Sequence, residues 1–144
     1  MNSTDHKEAE NCIFCKIVSG EIQAEKVYED TETLAIMNIN PTNKGQVLVM
    51  PKDHIENIYG FSEELAARIM LTTKKLSIAV KNGVDADGVN LIMNNEEAAG
   101  QVIFHAHMHI IPRFNDDGLE HWPAKPYLAD EISEFGEKIK KEVL

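Results

Sequence analysis

His105-Ala106-His107-Met108-His109, preceded by Val102-Ile103-Phe104 and followed by Ile110-Ile111, gathers three of the chain's six histidines into five residues. The flanks are β-branched or aromatic, which predicts a strand over the whole stretch. Side chains alternate across a strand, so His105, His107 and His109 are expected on one face. Ala106, Met108 and Ile110 then point to the other, toward the core. Three imidazoles in a row along about 14 Å of strand are an unusual device for packing alone. The stretch reads as a site.

Outward from it, the segments upstream also read as strands. Val27 to Asp30 and Leu34 to Ile39 are two, joined by a tight turn over Asp30 to Glu32. Asn40-Pro41-Thr42-Asn43-Lys44-Gly45 is loop chemistry, Gln46 to Met50 a third strand stopped by Pro51, and Gly88 to Asn94 a fourth. Cys12 to Gly20 suggests one helical turn. Ser62 is placed to cap a helix whose first turn carries Glu63 and Glu64, favourable against the positive end of the dipole. Leu65, Ile69, Leu76 and Val80 keep an apolar stripe through that helix to about Gly83. A last stripe, Leu128, Ile132, Phe135, Ile139 and Val143, predicts a C-terminal helix. The fold class is α+β: an antiparallel sheet of about five strands with two main helices. Residues 1–11, including His6, read as a flexible tail, and residues 12–144 as a single domain.

A chain of 144 residues can bury about two-thirds of its unfolded surface and form a core without disulfides. The 43% apolar and 26% charged residues suit a soluble globular protein. No apolar run approaches the roughly 20 residues of a membrane span, and the polar start carries no signal-peptide pattern. The cytoplasm is the expected setting. With 14 basic and 24 acidic residues and a net charge of −10, the chain is a poor non-specific partner for nucleic acid. A local pocket of backbone N–H groups and imidazoles can still take a small anion.

Two chemistries compete for the three imidazoles. They could hold a metal that activates water, although neighbours on one strand face are about 7 Å apart at Cα and three rarely converge on one ion. Alternatively, one imidazole is a nucleophile toward phosphorus and the others position phosphate and leaving group. Gly100 allows close backbone approach to a phosphate, and Asn94 and Gln101 supply amide donors. The Cys12/Cys15 pair is a separate signal. In a reducing compartment C-x-x-C is metal-binding or redox more often than a structural disulfide.

At this point a resemblance becomes specific. His105 to Ile111 resembles the His-x-His-x-His-x-x signature of the histidine triad family of nucleotide hydrolases and transferases. The likeness extends through Cys12-Ile13-Phe14-Cys15-Lys16-Ile17, Asn38-Ile39-Asn40-Pro41, Lys44-Gly45, Val47 to Ile55 with Pro51-Lys52-Asp53-His54, and Gly100-Gln101. It covers residues 12–113 and looks most like the bacterial branch related to the nucleoside phosphoramidases.

The resemblance implies His107 as nucleophile, forming a nucleotidyl-histidine that water hydrolyses to a nucleoside monophosphate. His105 completes the catalytic set, and His109 contacts the phosphate or leaving group, where a proton donor is needed. Asn94, Gln101 and the Gly100 and Val102 backbone would face the phosphate, and Asn38 the ribose. Val102 stands where many relatives carry a polar residue, which bears on leaving-group preference. The substrate expected is a purine nucleotide derivative, a phosphoramidate or a dinucleoside polyphosphate, and no organic cofactor is implied. A homodimer is implied, with sheets and long helices meeting across a two-fold axis. Some bacterial members bind zinc through the C-x-x-C pair, the histidine of Pro-Lys-x-His and the first triad histidine, here Cys12, Cys15, His54 and His105. Such a closed set is structural; the other reading leaves two reduced thiols and free histidines. His121 reads as a loop histidine, and Trp122 either shapes substrate choice or anchors the core. Two alternatives stay open: a regulatory nucleotide-binding protein with vestigial catalysis, and a redox or zinc-storage protein built on Cys12 and Cys15.

Overall fold

The structure, a computed structural model, describes residues 11–143; the tail expected over residues 1–11 lies, but for Asn11, outside the described residues. Five strands, β1 (Lys26–Glu29), β2 (Thr33–Met37), β3 (Val47–Pro51), β4 (Gly88–Ile92) and β5 (Met108–Arg113), form one sheet of order β1-β2-β3-β5-β4. Every neighbouring pair is antiparallel. Among the described residues three α-helices accompany it: α1 (Ile13–Val18), α2 (Glu63–Gly83) and α3 (Glu131–Lys140). The α+β class and the five-stranded antiparallel sheet stand as the sequence predicts.

The stripe on α2 packs where its spacing directs it. Ile69, Leu76 and Val80 meet Ala35, Val49, Met108 and Ile110 from one face of the sheet. Ser62 caps the helix, its hydroxyl accepting from the Leu65 N–H at 3.1 Å. On the opposite face, Leu34, Ile36, Leu48 and Met50 pack with Phe14, Ile17 and Cys12. Both faces of β2 and β3 are therefore covered, which is why their sequences run apolar without alternation. The short helix α1 lies over the face to which His109 points, since its neighbours Met108 and Ile110 face α2.

The histidine stretch departs from its expected form. Only His109 lies in β5, which starts at Met108; residues 101–107 are irregular. The cause is a pair of bonds, one long-range and one local, that a regular strand does not make. The Ala106 N–H donates to the Ile55 carbonyl at 2.7 Å, and the side chain of His107 bonds the backbone of His105 itself. The three imidazoles consequently do not form one row on a strand face. Ala106, Met108 and Ile110 are buried as expected. Two further ends move inward: β2 stops at Met37 and β4 at Ile92, leaving Asn38 and Asn94 in the loops that follow. At the C-terminus, Ile132, Phe135 and Ile139 fall within α3 while Leu128 and Val143 lie beyond its ends, and all five are exposed.

Candidate active site and metal centre

Two chemical environments meet at the segment before β5. Phe14 of α1 stands edge-on between them, its ring 5.8 Å from that of His105 and 5.0 Å from that of His107. On one side His105, completely buried, turns toward the cysteines. Its Nε2–H donates to the Pro51 carbonyl at 2.9 Å. A carbonyl can only accept, so the proton sits on Nε2 and Nδ1 is bare. That Nδ1 lies 3.5 Å from Sγ of both Cys12 and Cys15, and His54 Nδ1 lies 3.3 Å from the Cys15 Sγ.

The four donor atoms all lie within 4.8 Å of one another. A tetrahedron with ordinary zinc–sulfur and zinc–nitrogen bonds has edges of about 3.3–3.8 Å. The donor set and spacing fit a closed four-ligand site, with the His105 tautomer already held for ligation from Nδ1. Burial, then the charge and thiol of Cys12, push the Cys15 thiol up to about 12. A divalent cation inverts that preference by stabilising the thiolate.

On the other side of Phe14 lies His107, almost fully buried. Its Nδ1–H donates to the His105 carbonyl at 2.7 Å, so the lone pair of the neutral ring is on Nε2. Burial lowers its pKa, opposed by that hydrogen bond. The ring is therefore neutral near pH 7, as a nucleophile must be. His109 lies against it, ring centroids 4.8 Å apart. Burial, then the neighbouring His107, pull His109 down to about 4. For His105, burial leads again, with His54 and His107 adding and the Pro51 bond opposing, to about 4.

The loop over residues 94–101 is held by bonds within it and to the segment after β3. Glu96 adopts φ +70° and Gly100 φ +87°, conformations that cost a non-glycine residue and favour glycine. The Gln101 side chain secures this turn: its Oε1 accepts from the Glu96 N–H at 2.7 Å, and its Nε2 donates to the carbonyls of Glu56 and Ile103. Gln101 is buried, and its amide serves the loop backbone. Asn94 donates to the Gly100 carbonyl at 3.3 Å, and Val102 is exposed. Asn38 accepts from the Asn40 N–H at 3.0 Å, while its own N–H donates to the Gln46 carbonyl, on the His109 side of the sheet. His121 and Trp122 are exposed and line an open cleft with Asn90, Ile92, Ile111 and Arg113. Trp122 is no core anchor. The Asp116-Asp117-Gly118 segment overlaps a turn clamped by Arg113, whose Nε lies 2.7 Å from Asp117.

Residues 19–116 match the HIT domain model. The chain belongs to the HIT-domain family. This HIT-domain chain is 44% identical over 137 residues to "Protein hit" of Bacillus subtilis, covering 92% of this chain and 94% of that one. It is 38% identical over 135 residues to adenosine 5′-monophosphoramidase hnt1 of Schizosaccharomyces pombe, covering 92% and 98%. A crystal structure of a HIT family member from Bacillus subtilis superposes with a TM-score of 0.86 at 40% identity, over 93% of this chain and 98% of that one. A zinc-bound histidine triad family protein from Mycobacterium smegmatis gives 0.74 at 35% identity, over 82% and 86%.

Two members of the HIT site escape a reading of the sequence. Phe14 reads as part of the C-x-x-C segment, and nothing local says that it separates two histidines 91 and 93 residues away. Gln46 reads only as the first residue of a strand, yet its amide contacts His109 at 2.9 Å. The available signal was a polar side chain opening an otherwise apolar run.

Proposed function

We propose that this HIT-domain chain hydrolyses nucleotide derivatives through a nucleotidyl-histidine intermediate on His107. The observation that carries the reading is the bond from His107 Nδ1 to the His105 carbonyl, which leaves one bare nitrogen on a neutral ring. In the first step Nε2 of His107 bonds to the α-phosphorus as the phosphorus–leaving-group bond breaks, its electron pair departing on an amine nitrogen that solvent has protonated. In the second, water bonds to the phosphorus and gives its proton to solvent, the phosphorus–nitrogen bond to His107 breaks, and nucleoside monophosphate leaves with the neutral ring restored. Asn38 faces the ribose, and the Asn94 side chain with the Gly100 and Val102 backbone faces the phosphate, while Gln101 holds their loop. The kinship with the fission-yeast adenosine 5′-monophosphoramidase supports a purine nucleoside phosphoramidate as first substrate, with dinucleoside polyphosphates second.

The test is incubation with adenosine 5′-phosphoramidate, rapid quenching, and mass analysis of the peptide carrying His107. Release of AMP with a nucleotidyl adduct on that peptide is the expected result. Tight AMP binding with neither adduct nor release would instead make the chain a regulatory nucleotide binder.

Cys12, Cys15, His54 and His105 are the residues that would hold a structural zinc. The donor spacing and the zinc-bound mycobacterial relative support this. When bound, the ion ties α1 to the end of β3 and to the segment before His107. No position on a four-ligand ion remains for a reacting water. Among the described residues no helix is long and apolar enough to cross a membrane, and the cytoplasm is the setting that suits two free thiols.

A homodimer is also part of this reading. Among the described residues β4 ends the sheet with its outer edge unpaired, Leu91 on it is exposed, and Leu71 and Ile78 are exposed apolar residues two turns apart on α2. Exposed apolar side chains and a sheet edge are features an isologous interface covers. Light scattering is expected to give twice the chain mass, and Leu91→Lys to shift the protein toward monomer. A monomeric wild type at high concentration overturns the dimer.

A further inference from the structure

Gln46 lies immediately before β3 and is almost completely buried. Its side chain has two partners. Oε1 stands 2.7 Å from the Thr42 backbone nitrogen, and Nε2 stands 2.9 Å from Nδ1 of His109. The amide could in principle be turned end for end, but here the backbone decides. The Thr42 N–H can only donate, so the oxygen must face it and the NH₂ must face His109. Nδ1 of His109 is then obliged to accept, and the single proton of the neutral ring resides on Nε2.

We propose that Gln46 is a positioning residue that fixes His109 as a neutral imidazole with its N–H on Nε2, making His109 a hydrogen-bond donor to the phosphoryl group and not a source of protons. The proposal rests on the function assigned above and deepens it, because it names what the third histidine contributes. The resemblance led to His109 as the place for a proton donor. A neutral imidazole surrendering its only proton would become an imidazolate, a very strong base, so proton transfer from this tautomer is unfavourable. A fixed N–H aimed at charge that grows on phosphoryl oxygen needs no such transfer, and preorganised donors of this kind are a large part of catalysis.

The surroundings of His109 agree. Its backbone neighbours across the sheet are Leu48 on β3 and Ile92 on β4, both apolar. The titratable group against it is His107, at 4.8 Å between ring centroids. Charging both rings of this close pair is unfavourable, and a donor N–H opposite Nδ1 opposes an imidazolium further. Burial and His107 hold the group low for the same reason. Thr42 adds a second consequence: it belongs to the loop between β2 and β3, so one amide couples that loop to the ring next to the nucleophile.

Gln46→Glu separates this role from a merely structural one. The carboxylate is isosteric and keeps an acceptor for the Thr42 N–H, but it presents a second acceptor to Nδ1. His109 must then carry its proton on Nδ1 or become doubly protonated. Long-range proton–nitrogen NMR spectra of the imidazoles report the tautomer directly, with His109 assigned by comparison with His109→Gln. Wild type is expected to show the Nε2–H form at neutral pH. In Gln46→Glu the Nδ1–H or imidazolium pattern is expected, with kcat for adenosine 5′-phosphoramidate down by about tenfold or more and KM little changed.

An Nδ1–H tautomer in wild type overturns the proposal without any variant, so it remains testable even where Gln46→Glu does not fold. An unchanged tautomer in folded Gln46→Glu overturns it as well. The spectra do not depend on turnover. The expected tautomers in a wild type without turnover would count against the hydrolase reading alone, and a wrong tautomer in an active enzyme against the Gln46 assignment alone.

Discussion

His107→Ala is expected to lower the release of AMP from adenosine 5′-phosphoramidate by at least about 10⁴-fold and to abolish the nucleotidyl adduct. The size follows from the division of labour in the site. His105 is turned away with its Nδ1 toward two cysteines, and His109 has its Nδ1 engaged by Gln46. Neither neighbour is placed to take over the attack. What remains in the variant is substrate binding and the donors around the phosphate, which act on a water of lower nucleophilicity. The fold should survive. Alanine deletes the ring that donated to the His105 carbonyl and touched Phe14, an unsatisfied acceptor worth about 1–3 kcal/mol. Circular dichroism and retained AMP binding would establish that the loss is chemical. Turnover within tenfold of wild type would remove His107 from the role of nucleophile.

The second large effect concerns stability. Stripping the protein with a strong chelator, or replacing Cys15 with serine, is expected to lower the melting temperature by about 10–20 °C. With free zinc near a thousandfold above its Kd, mass action alone contributes about 4 kcal/mol, and at this chain length each kcal/mol moves Tm by several degrees. The physical reason is topological. The four donors come from α1 and its N-cap, from the segment after β3 and from the segment before β5, so one ion closes long stretches of chain. Calorimetry with and without zinc checks this, together with a metal content of one zinc per chain lost in Cys15→Ser. A melting temperature indifferent to zinc would leave the cysteines as a pair of buried reduced thiols. Turnover measured below the melting point of the stripped protein should persist, because His107 is not among the ligands. Its disappearance with the fold intact would put the metal into the chemistry.

Much of this was legible in order along the chain. The stripe Leu65, Ile69, Leu76, Val80 and the cap at Ser62 are local patterns, and local patterns set helix α2 and its buried face. The apolar runs of β2 and β3 are read the same way, their lack of alternation reflecting cover on both sides. The metal set was legible only through resemblance: no spacing rule links Cys12 to His105, 93 residues apart, yet the donors converge within 4.8 Å. The histidine stretch was misread in its geometry for a definable reason. Alternation assumes an extended backbone, and the bonds that break it, Ala106 to Ile55 and His105 to Pro51, have partners fixed by the fold and not by neighbours in sequence. The stripe from Leu128 to Val143 predicted a helix correctly in part, but its exposure was beyond any pattern, because periodicity records a face and not what covers it.

The sequence by itself determined most of the elements and the identity of the chemical groups: imidazoles, thiols and amides in the numbers the proposed phosphorus-attacking site and four-ligand metal site require. Only the tertiary structure decided how the three histidines divide that work. Each ring has two nitrogens, and which one carries the proton depends on the partner of the other: the Pro51 carbonyl for His105, the His105 carbonyl for His107, the Gln46 amide for His109. Two of those three partners lie 54 and 63 residues away in sequence, and a proton's place on a ring is set by the atom that faces it in space.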